Sequence, residues 1–201
     1  ITCGISEKEI AWEAEAAARK LYGADDLSFP VIVASGTNSS KPHHVPTDKK
    51  LEKGDFLTID FGVRYKGYCS DITRTYFIGT PTEKQIEIYE TVLNAAETAK
   101  TRARIGMSGK ELDSIAREII AAKGYGDNFP HSLGHGVGVE IHEAPRISQT
   151  GDQILEENMV FTIEPGIYVP GFGGVRIEDS VVLGPDGIRT LTNVPRELTV
   201  L

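Results

Sequence analysis

The strongest constraint on how this chain can fold is that it repeats itself. Gly4-Ile5-Ser6-Glu7-Lys8-Glu9-Ile10 returns 102 positions later as Gly106-Met107-Ser108-Gly109-Lys110-Glu111-Leu112, and Phe56-Leu57-Thr58-Ile59-Asp60 returns 104 positions later as Val160-Phe161-Thr162-Ile163-Glu164. Two matches in the same order at nearly one offset point to a duplicated unit of about half the chain, over residues 4–100 and 106–201. Each copy opens on an S-x-x-E capping box, Ser6 with Glu9 and Ser108 with Glu111, whose side chains satisfy the free amides of a first helical turn. Apolar positions at helical spacing follow: Ile10, Ala14, Ala17 and Leu21 in the first copy, then Leu112, Ile115, Ala116, Ile119 and Ile120 in the second. Thr82 with Gln85 opens a further helix carrying Tyr89, Val92, Ala96 and Ala99 on one side.

Strands are expected over 56–63 and 68–78, joined at Lys66-Gly67, and over 159–168 and 175–183, joined by Pro170-Gly171-Phe172-Gly173-Gly174. Helix, hairpin, helices, hairpin is an α+β pattern. No flexible linker divides it, so a single domain over residues 1–201 is expected.

Composition removes several functional classes. With 40% hydrophobic and 25% charged residues the chain is an ordinary globular protein. A net charge of −8, with basic residues scattered, argues against a nucleic-acid partner. The longest apolar runs, such as Val31 to Ala34, are four residues, far below the ~20 of a spanning helix, so no membrane partner is expected. Cys3 and Cys69 lack C-x-x-C spacing and form neither a disulfide framework nor a zinc knuckle, which reads as a reducing, cytoplasmic setting. Ile1 is not an initiator methionine and no signal sequence precedes it, so the chain reads as a fragment or processed product.

The chemistry lies in the hairpins. With Lys66-Gly67 as a two-residue turn, residue i pairs with 133 − i, which puts Asp60 opposite Thr73 and Asp71 two positions away on the same face. Such diagonal neighbours lie ~7–8 Å apart, within reach of a common cation. Glu164 and Glu178 are likewise centred on position 171, and the repeat superposes the two acidic pairs. Any one Asp on a strand is by default a solvent-facing residue, but facing acidic pairs flanked by Phe, Ile and Leu repel one another unless a metal resolves the conflict. Four carboxylates carry about −4, the charge that two divalent cations ~3.5–4 Å apart would balance. A nitrogen ligand is expected from the glycine-rich segment Phe129 to Gly138, a stretch rich in chemistry and poor in packing. Single histidines are by default surface or core residues, yet His43-His44 and His131 with His135 cluster, and His142 follows close behind. Cys69 has no partner pattern for a nucleophile, and His135-Gly136-Val137-Gly138 matches no phosphate-binding loop.

Taken together, Ser35-Gly36-Thr37-Asn38 with Pro42-His43, Asp60-Phe61-Gly62, Ser70 to Thr75, His131 to Gly138, His142-Glu143-Ala144-Pro145, Glu164-Pro165-Gly166 and Val175-Arg176-Ile177-Glu178-Asp179 form a specific set. It resembles the catalytic domain of the metallopeptidase family that includes Xaa-Pro aminopeptidase, Xaa-Pro dipeptidase (prolidase) and methionine aminopeptidase, and the resemblance covers essentially the whole chain. The resemblance implies the α+β pita-bread fold, two duplicated halves around a shared antiparallel sheet. It implies Asp60, Asp71, His135, Glu164 and Glu178 as ligands of two metal ions, with Asp71 and Glu178 spanning both. It assigns His43, His131 and His142 to substrate binding, His43, His142 and Glu164 to catalysis, and Arg176 to a supporting place behind the acidic cluster.

Pro42-His43 and the 175–179 run look closer to the Xaa-Pro branch, whose members usually carry an N-terminal domain; this chain begins about where the catalytic domain should, and that domain is taken as absent. The implied activity is dinuclear metal-dependent hydrolysis of the N-terminal bond of Xaa-Pro peptides or dipeptides. Glu164 would move the proton of an attacking water, and His142 and His43 would donate hydrogen bonds to the carbonyl oxygen. An oxygen-rich ligand set places manganese first, with Co, Fe and Zn also compatible. Rival readings are methionine aminopeptidase-like activity, a non-catalytic binding protein on the same fold, marked by substituted ligands, and, last, a non-metal amidinohydrolase, which would lack most of the acidic ligands. The expected partner is a peptide substrate; a homodimer is left open.

Overall fold

The computed structural model describes residues 1–201. All three expected helix starts are complete capping boxes, in which the Ser or Thr side chain accepts from the third helical amide and the Glu or Gln reaches back: α1 (Glu7–Tyr22), α2 (Glu83–Arg102) and α3 (Gly109–Ala122). Tyr89, Val92, Ala96 and Ala99 of α2 and Leu112, Ile115, Ala116 and Ile120 of α3 are buried as the helical spacing predicts. In α1 the stripe is weaker. Ile10 and Ala18 are buried, whereas Leu21 is 73% exposed, because the apolar cluster beneath α1 is small, consisting of Ile10, Val31, Val33, Leu51, Leu57 and Ile78.

The first half contributes β1 (Asp26–Leu27), β2 (Ile32–Ser35), β3 (Phe56–Phe61), β4 (Val63–Tyr65), β5 (Tyr68–Cys69) and β6 (Ile72–Phe77). The second contributes β7 (Gly134–Gly136), β8 (Glu143–Ile147), β9 (Val160–Ile163), β10 (Gly166–Val169), β11 (Gly173–Arg176), β12 (Asp179–Gly184) and β13 (Gly187–Thr190). They form antiparallel sheets in the orders β2-β3-β6 and β13-β12-β9-β7-β8, with ribbons β1-β4-β5 and β10-β11. The 66–67 turn sets the expected register, Asp60 opposite Thr73, and the second hairpin is centred on 171, with Gly166 opposite Arg176.

Each expected long strand is interrupted. Between β3 and β4 sits Gly62, where a Cβ would lie 2.1 Å from the Ser70 carbonyl, so the chain bends around a close backbone approach. Between β9 and β10 sits Pro165, which has no amide for the ladder. Ser70 and Asp71 separate β5 from β6, and Ile177 and Glu178 separate β11 from β12. Three of the four acidic residues therefore stand in gaps of the ladder, where side chains escape the strict alternation of a strand. The segment around His135 also departs from expectation. It is the inner strand β7, its neighbour Leu133 is fully buried, and its glycines serve packing: a Cβ on Gly134 would meet the Thr162 carbonyl at 1.9 Å.

The main core joins both halves. Phe56 and Phe77 of the first, Ile88, Tyr89 and Val92 of α2, Leu112 and Ile120 of α3, and Phe161, Ile163 and Val181 of the second belong to one cluster. Burying side chains of this size contributes about 1.5–3 kcal/mol each. The approaches to α1 and α3 match bond for bond. Gly4 N donates to Leu51 O (2.9 Å) and Leu51 N to Ile5 O (2.9 Å), while Gly106 N donates to Leu155 O (2.9 Å) and Leu155 N to Met107 O (2.7 Å). No helix is long and apolar enough to cross a membrane.

Candidate metal centre

The two larger sheets meet where Glu178 N donates to Thr73 O (3.1 Å) and Ser180 Oγ to Asp71 O (2.8 Å). That seam brings the acidic residues of both hairpins together. All nine site residues named from the sequence border one cavity of about 640 Å³. Asp60, Asp71 and Glu178 are buried, and the side chains of His135 and Glu164 are 17% and 16% exposed.

One ligand atom each from Asp71, His135 and Glu178 lies within 4.8 Å of the others, and His135 Nε2 is 3.3 Å from Glu164 Oε1 and 3.6 Å from Asp71 Oδ2. His135 Nδ1 is 3.0 Å from Gly136 O. A carbonyl can only accept, so Nδ1 carries the proton and Nε2 offers a lone pair to the cluster. Burial also pushes the His135 pKa down, which keeps the ring neutral. Lone pairs thus face lone pairs.

Burial pushes the carboxyls of Asp71, Glu164 and Glu178 well above the ordinary range, and the charge of facing carboxylates adds to it. Asp60 Oδ2 accepts from Arg176 Nη2 (2.6 Å), whereas Asp60 Oδ1 is buried with no hydrogen-bond partner. An orphaned carboxylate oxygen, an inward imidazole lone pair and repelling acids form a donor set that divalent cations fit: hard oxygens with one borderline nitrogen.

A second ring of residues holds this set in place: Arg176, expected behind the acidic cluster, with Thr73, Thr162 and Tyr168, which sequence reasoning missed. Thr73 Oγ1 donates to Glu178 Oε2 (2.6 Å) and accepts from Arg176 Nε (3.1 Å). Thr162 Oγ1 donates to Glu164 Oε1 (3.1 Å) and accepts from His135 N (3.1 Å). Arg176 Nη1 donates to the Tyr168 hydroxyl (2.7 Å), which lies 2.8 Å from His131 Nε2. Thr73 was findable, since register places it opposite Asp60; Tyr168 carried no comparable signal. Behind Glu178, buried Asp179 accepts from Arg74, Lys100, Thr192 and Arg196, and Arg74 also donates to the backbone carbonyls of Thr73 and Glu178.

The histidines separate into three kinds. His43 and His142 are exposed on the cavity wall without hydrogen bonds inside the protein, and the His142 ring packs edge-on against His135 at 4.3 Å. His131 lines the cavity, but Nδ1 bonds to Ser132 O and Nε2 to Tyr168; burial and the Arg176 charge push its pKa down to about 3. His44 points inward to Glu7, away from its neighbour's role. Arg146, opposite His135 in the β7–β8 pairing, also lines the cavity, and its guanidinium has no hydrogen-bonded partner.

Comparison with known proteins places the chain in a family. The model of metallopeptidase family M24 matches residues 1–185. The chain is 56% identical over 198 residues to an Xaa-Pro dipeptidase of Pyrococcus furiosus, covering 98% of this chain and 57% of that protein. Its structure superposes with TM-score 0.98 on an Xaa-Pro dipeptidase from Bacillus anthracis (49% identity, 100% of this chain and 56% of that one). The X-Pro aminopeptidase of Thermotoga maritima gives 0.97 (50% identity, 100% and 57%). The chain spans somewhat more than half the length of these relatives. With a pita-bread arrangement of helices and antiparallel sheets around a buried acidic seam, and these matches along nearly its whole length, the chain belongs to metallopeptidase family M24.

Proposed function

We propose that the chain is the catalytic unit of a dinuclear metal-dependent exopeptidase that cleaves ahead of proline in Xaa-Pro dipeptides and short peptides. The observation that carries this reading is that Asp60, Asp71, His135, Glu164 and Glu178, with an orphaned oxygen and an inward lone pair, all line a single cavity. These five residues would hold two divalent ions, manganese first, with Co, Fe or Zn also compatible. When bound, the ions polarise the scissile carbonyl and ease loss of a proton from water.

The chain's own groups do the rest. Glu164 Oε1 is fixed by Thr162, which leaves Oε2 free to take a proton and return it to the leaving nitrogen. His43 and His142 have ring N–H groups free to stabilise charge growing on the carbonyl oxygen, a contribution worth about 10²–10³ in rate. His131 acts through Tyr168 and Arg176 to orient Asp60 and shape the substrate wall. Arg146 is the unpaired cation of the cavity and suits the free carboxylate of a dipeptide. The relatives named Xaa-Pro dipeptidase support this substrate class.

The repeat over 4–100 and 106–201 supports one unit built by duplication, each half supplying an acidic pair. The unpaired Cys3 and Cys69 support a reducing, cytoplasmic setting. The test is hydrolysis of Ala-Pro, Ala-Pro-Ala and Met-Ala by metal-stripped protein with and without added Mn²⁺. Ala-Pro cleavage should return with metal. Preference for Met-Ala overturns the substrate assignment, and metal binding without turnover favours a binding protein on this fold.

A further inference from the structure

We infer that Glu7, at the first turn of α1, is a positioning residue that sets His43 in the cavity by clamping both ends of the 35–47 segment. The inference rests on the peptidase reading, since His43 matters only if the cavity hydrolyses peptides. Glu7 is completely buried, yet it lies outside the acidic cluster and has no place in the chemistry described above. Its carboxylate is surrounded by donors. Oε1 accepts from Ser35 N (2.8 Å), Ser35 Oγ (2.9 Å) and Asn38 Nδ2 (3.1 Å). Oε2 accepts from Thr47 N (3.0 Å) and Thr47 Oγ1 (2.7 Å), and lies 2.9 Å from His44 Nε2.

The two oxygens thus divide the work: Oε1 holds the start of the segment, Oε2 its end. Between these anchors the chain must pass through Pro42, His43 and His44. With the buried His44 tied to Glu7, its neighbour His43 is left exposed on the wall of the cavity that both residues border. Pro42 O accepts from Arg176 Nη1 (3.3 Å), which ties the same segment to the acidic cluster.

Only glutamate meets these demands. Glutamine has one oxygen and one NH₂, and either orientation sets that NH₂ against a backbone N–H, of Ser35 or of Thr47, which cannot reverse its polarity. Aspartate is a methylene short. The many donors also outweigh burial, which alone would raise the group, and hold Glu7 at about 2, a permanent anion.

The test is a double-mutant cycle on the metal-loaded protein with Ala-Pro as substrate, with Glu7→Gln, His43→Ala and the pair. Glu7→Gln should lower kcat about 10–100-fold with metal content unchanged. In the His43→Ala background it should lower kcat less than about twofold, because the group it positions is gone. A general loss of structure would instead lower kcat equally in both backgrounds, and that additive result overturns the inference. Should Glu7→Gln fail to fold, Thr47→Val removes a single donor to Glu7, along with the acceptor of the exposed Lys49 N, and must show the same non-additivity with His43→Ala. Amide exchange at Ser35 and Thr47 should accelerate in Glu7→Gln, and unchanged protection there also overturns the clamp. An inactive metal-loaded wild type overturns the peptidase reading, and with it any positioning role, whereas an active wild type with an additive cycle overturns only the role of Glu7.

Discussion

Gly134 stands where β7 passes β9, one residue before His135, and replacing it with alanine is a direct test of how the scaffold sets the site. The added Cβ would lie 1.9 Å from Thr162 O, 2.7 Å from Thr162 C and 2.9 Å from Thr162 Oγ1, when real Cβ atoms essentially never come within 3.0 Å of such atoms. The obstacle is backbone, so the two strands must part by about 1 Å or more. Parting them weakens the hydrogen bonds from Glu164 N to Leu133 O (2.8 Å) and from His135 N to Thr162 Oγ1 (3.1 Å). Overpacking of this kind costs about 1–3 kcal/mol and the partial weakening of these two bonds about 1 kcal/mol together, so a loss of about 3 kcal/mol is expected. For a chain of this size that lowers Tm by about 6–12 °C. It also carries His135 away from Glu164, and Mn²⁺ affinity should fall at least about tenfold. The assays are thermal unfolding of the metal-free protein and calorimetric Mn²⁺ titration. Gly126→Ala is the control: its Cβ would meet only Ala121, at an ordinary 3.4 Å from Cβ and 3.6 Å from Cα, so stability should stay within about 0.5 kcal/mol of wild type. If Gly134→Ala melts with the wild type and binds Mn²⁺ equally well, the argument from close approach is wrong.

Three other perturbations separate the parts of the account. Thr73→Val keeps the shape but removes the hydroxyl that donates to Glu178 and accepts from Arg176, so Mn²⁺ affinity should fall about 10–100-fold by calorimetry; equal affinity contradicts the supporting role. Arg146→Met should raise KM for Ala-Pro about tenfold and leave KM for Ala-Pro-amide nearly unchanged, and an equal rise for both removes the carboxylate contact. Glu7, held at about 2 against an ordinary 4.5, contributes about 3 kcal/mol of stability that is fully present above about pH 5 and lost as pH falls toward 2. Denaturant unfolding at stepped pH should therefore bring wild type and Glu7→Gln together over that window, and a constant gap between them refutes the assignment.

What the sequence reveals and what it hides follow from the range of the interactions involved. Capping boxes act within four residues, so the starts of α1, α2 and α3 are readable directly. The register of the hairpins is equally local, because a two-residue turn fixes every pair behind it, including Asp60 with Thr73. The strand interruptions at Gly62 and Pro165 are visible as residues, but their effect depends on what approaches from another strand. β7 is a Gly-His-Gly strand without alternation, and only its neighbours β8 and β9 make it one. His43 and His44 look equivalent in sequence; the difference between them is Glu7, 37 positions from His44. Asp179, next to Glu178, reads as one more acid of the motif, and its four cationic and hydroxyl partners come from separate parts of the chain. Arg146 is hidden for the same reason, since its place beside His135 depends on a pairing the pattern does not announce.

Anomalous diffraction from crystals saturated with Mn²⁺ is the most direct measurement of the central claim. Two manganese peaks enclosed by Asp60, Asp71, His135, Glu164 and Glu178 are the predicted result. Empty density between these residues under saturating metal, or ions bound only elsewhere on the chain, would contradict it.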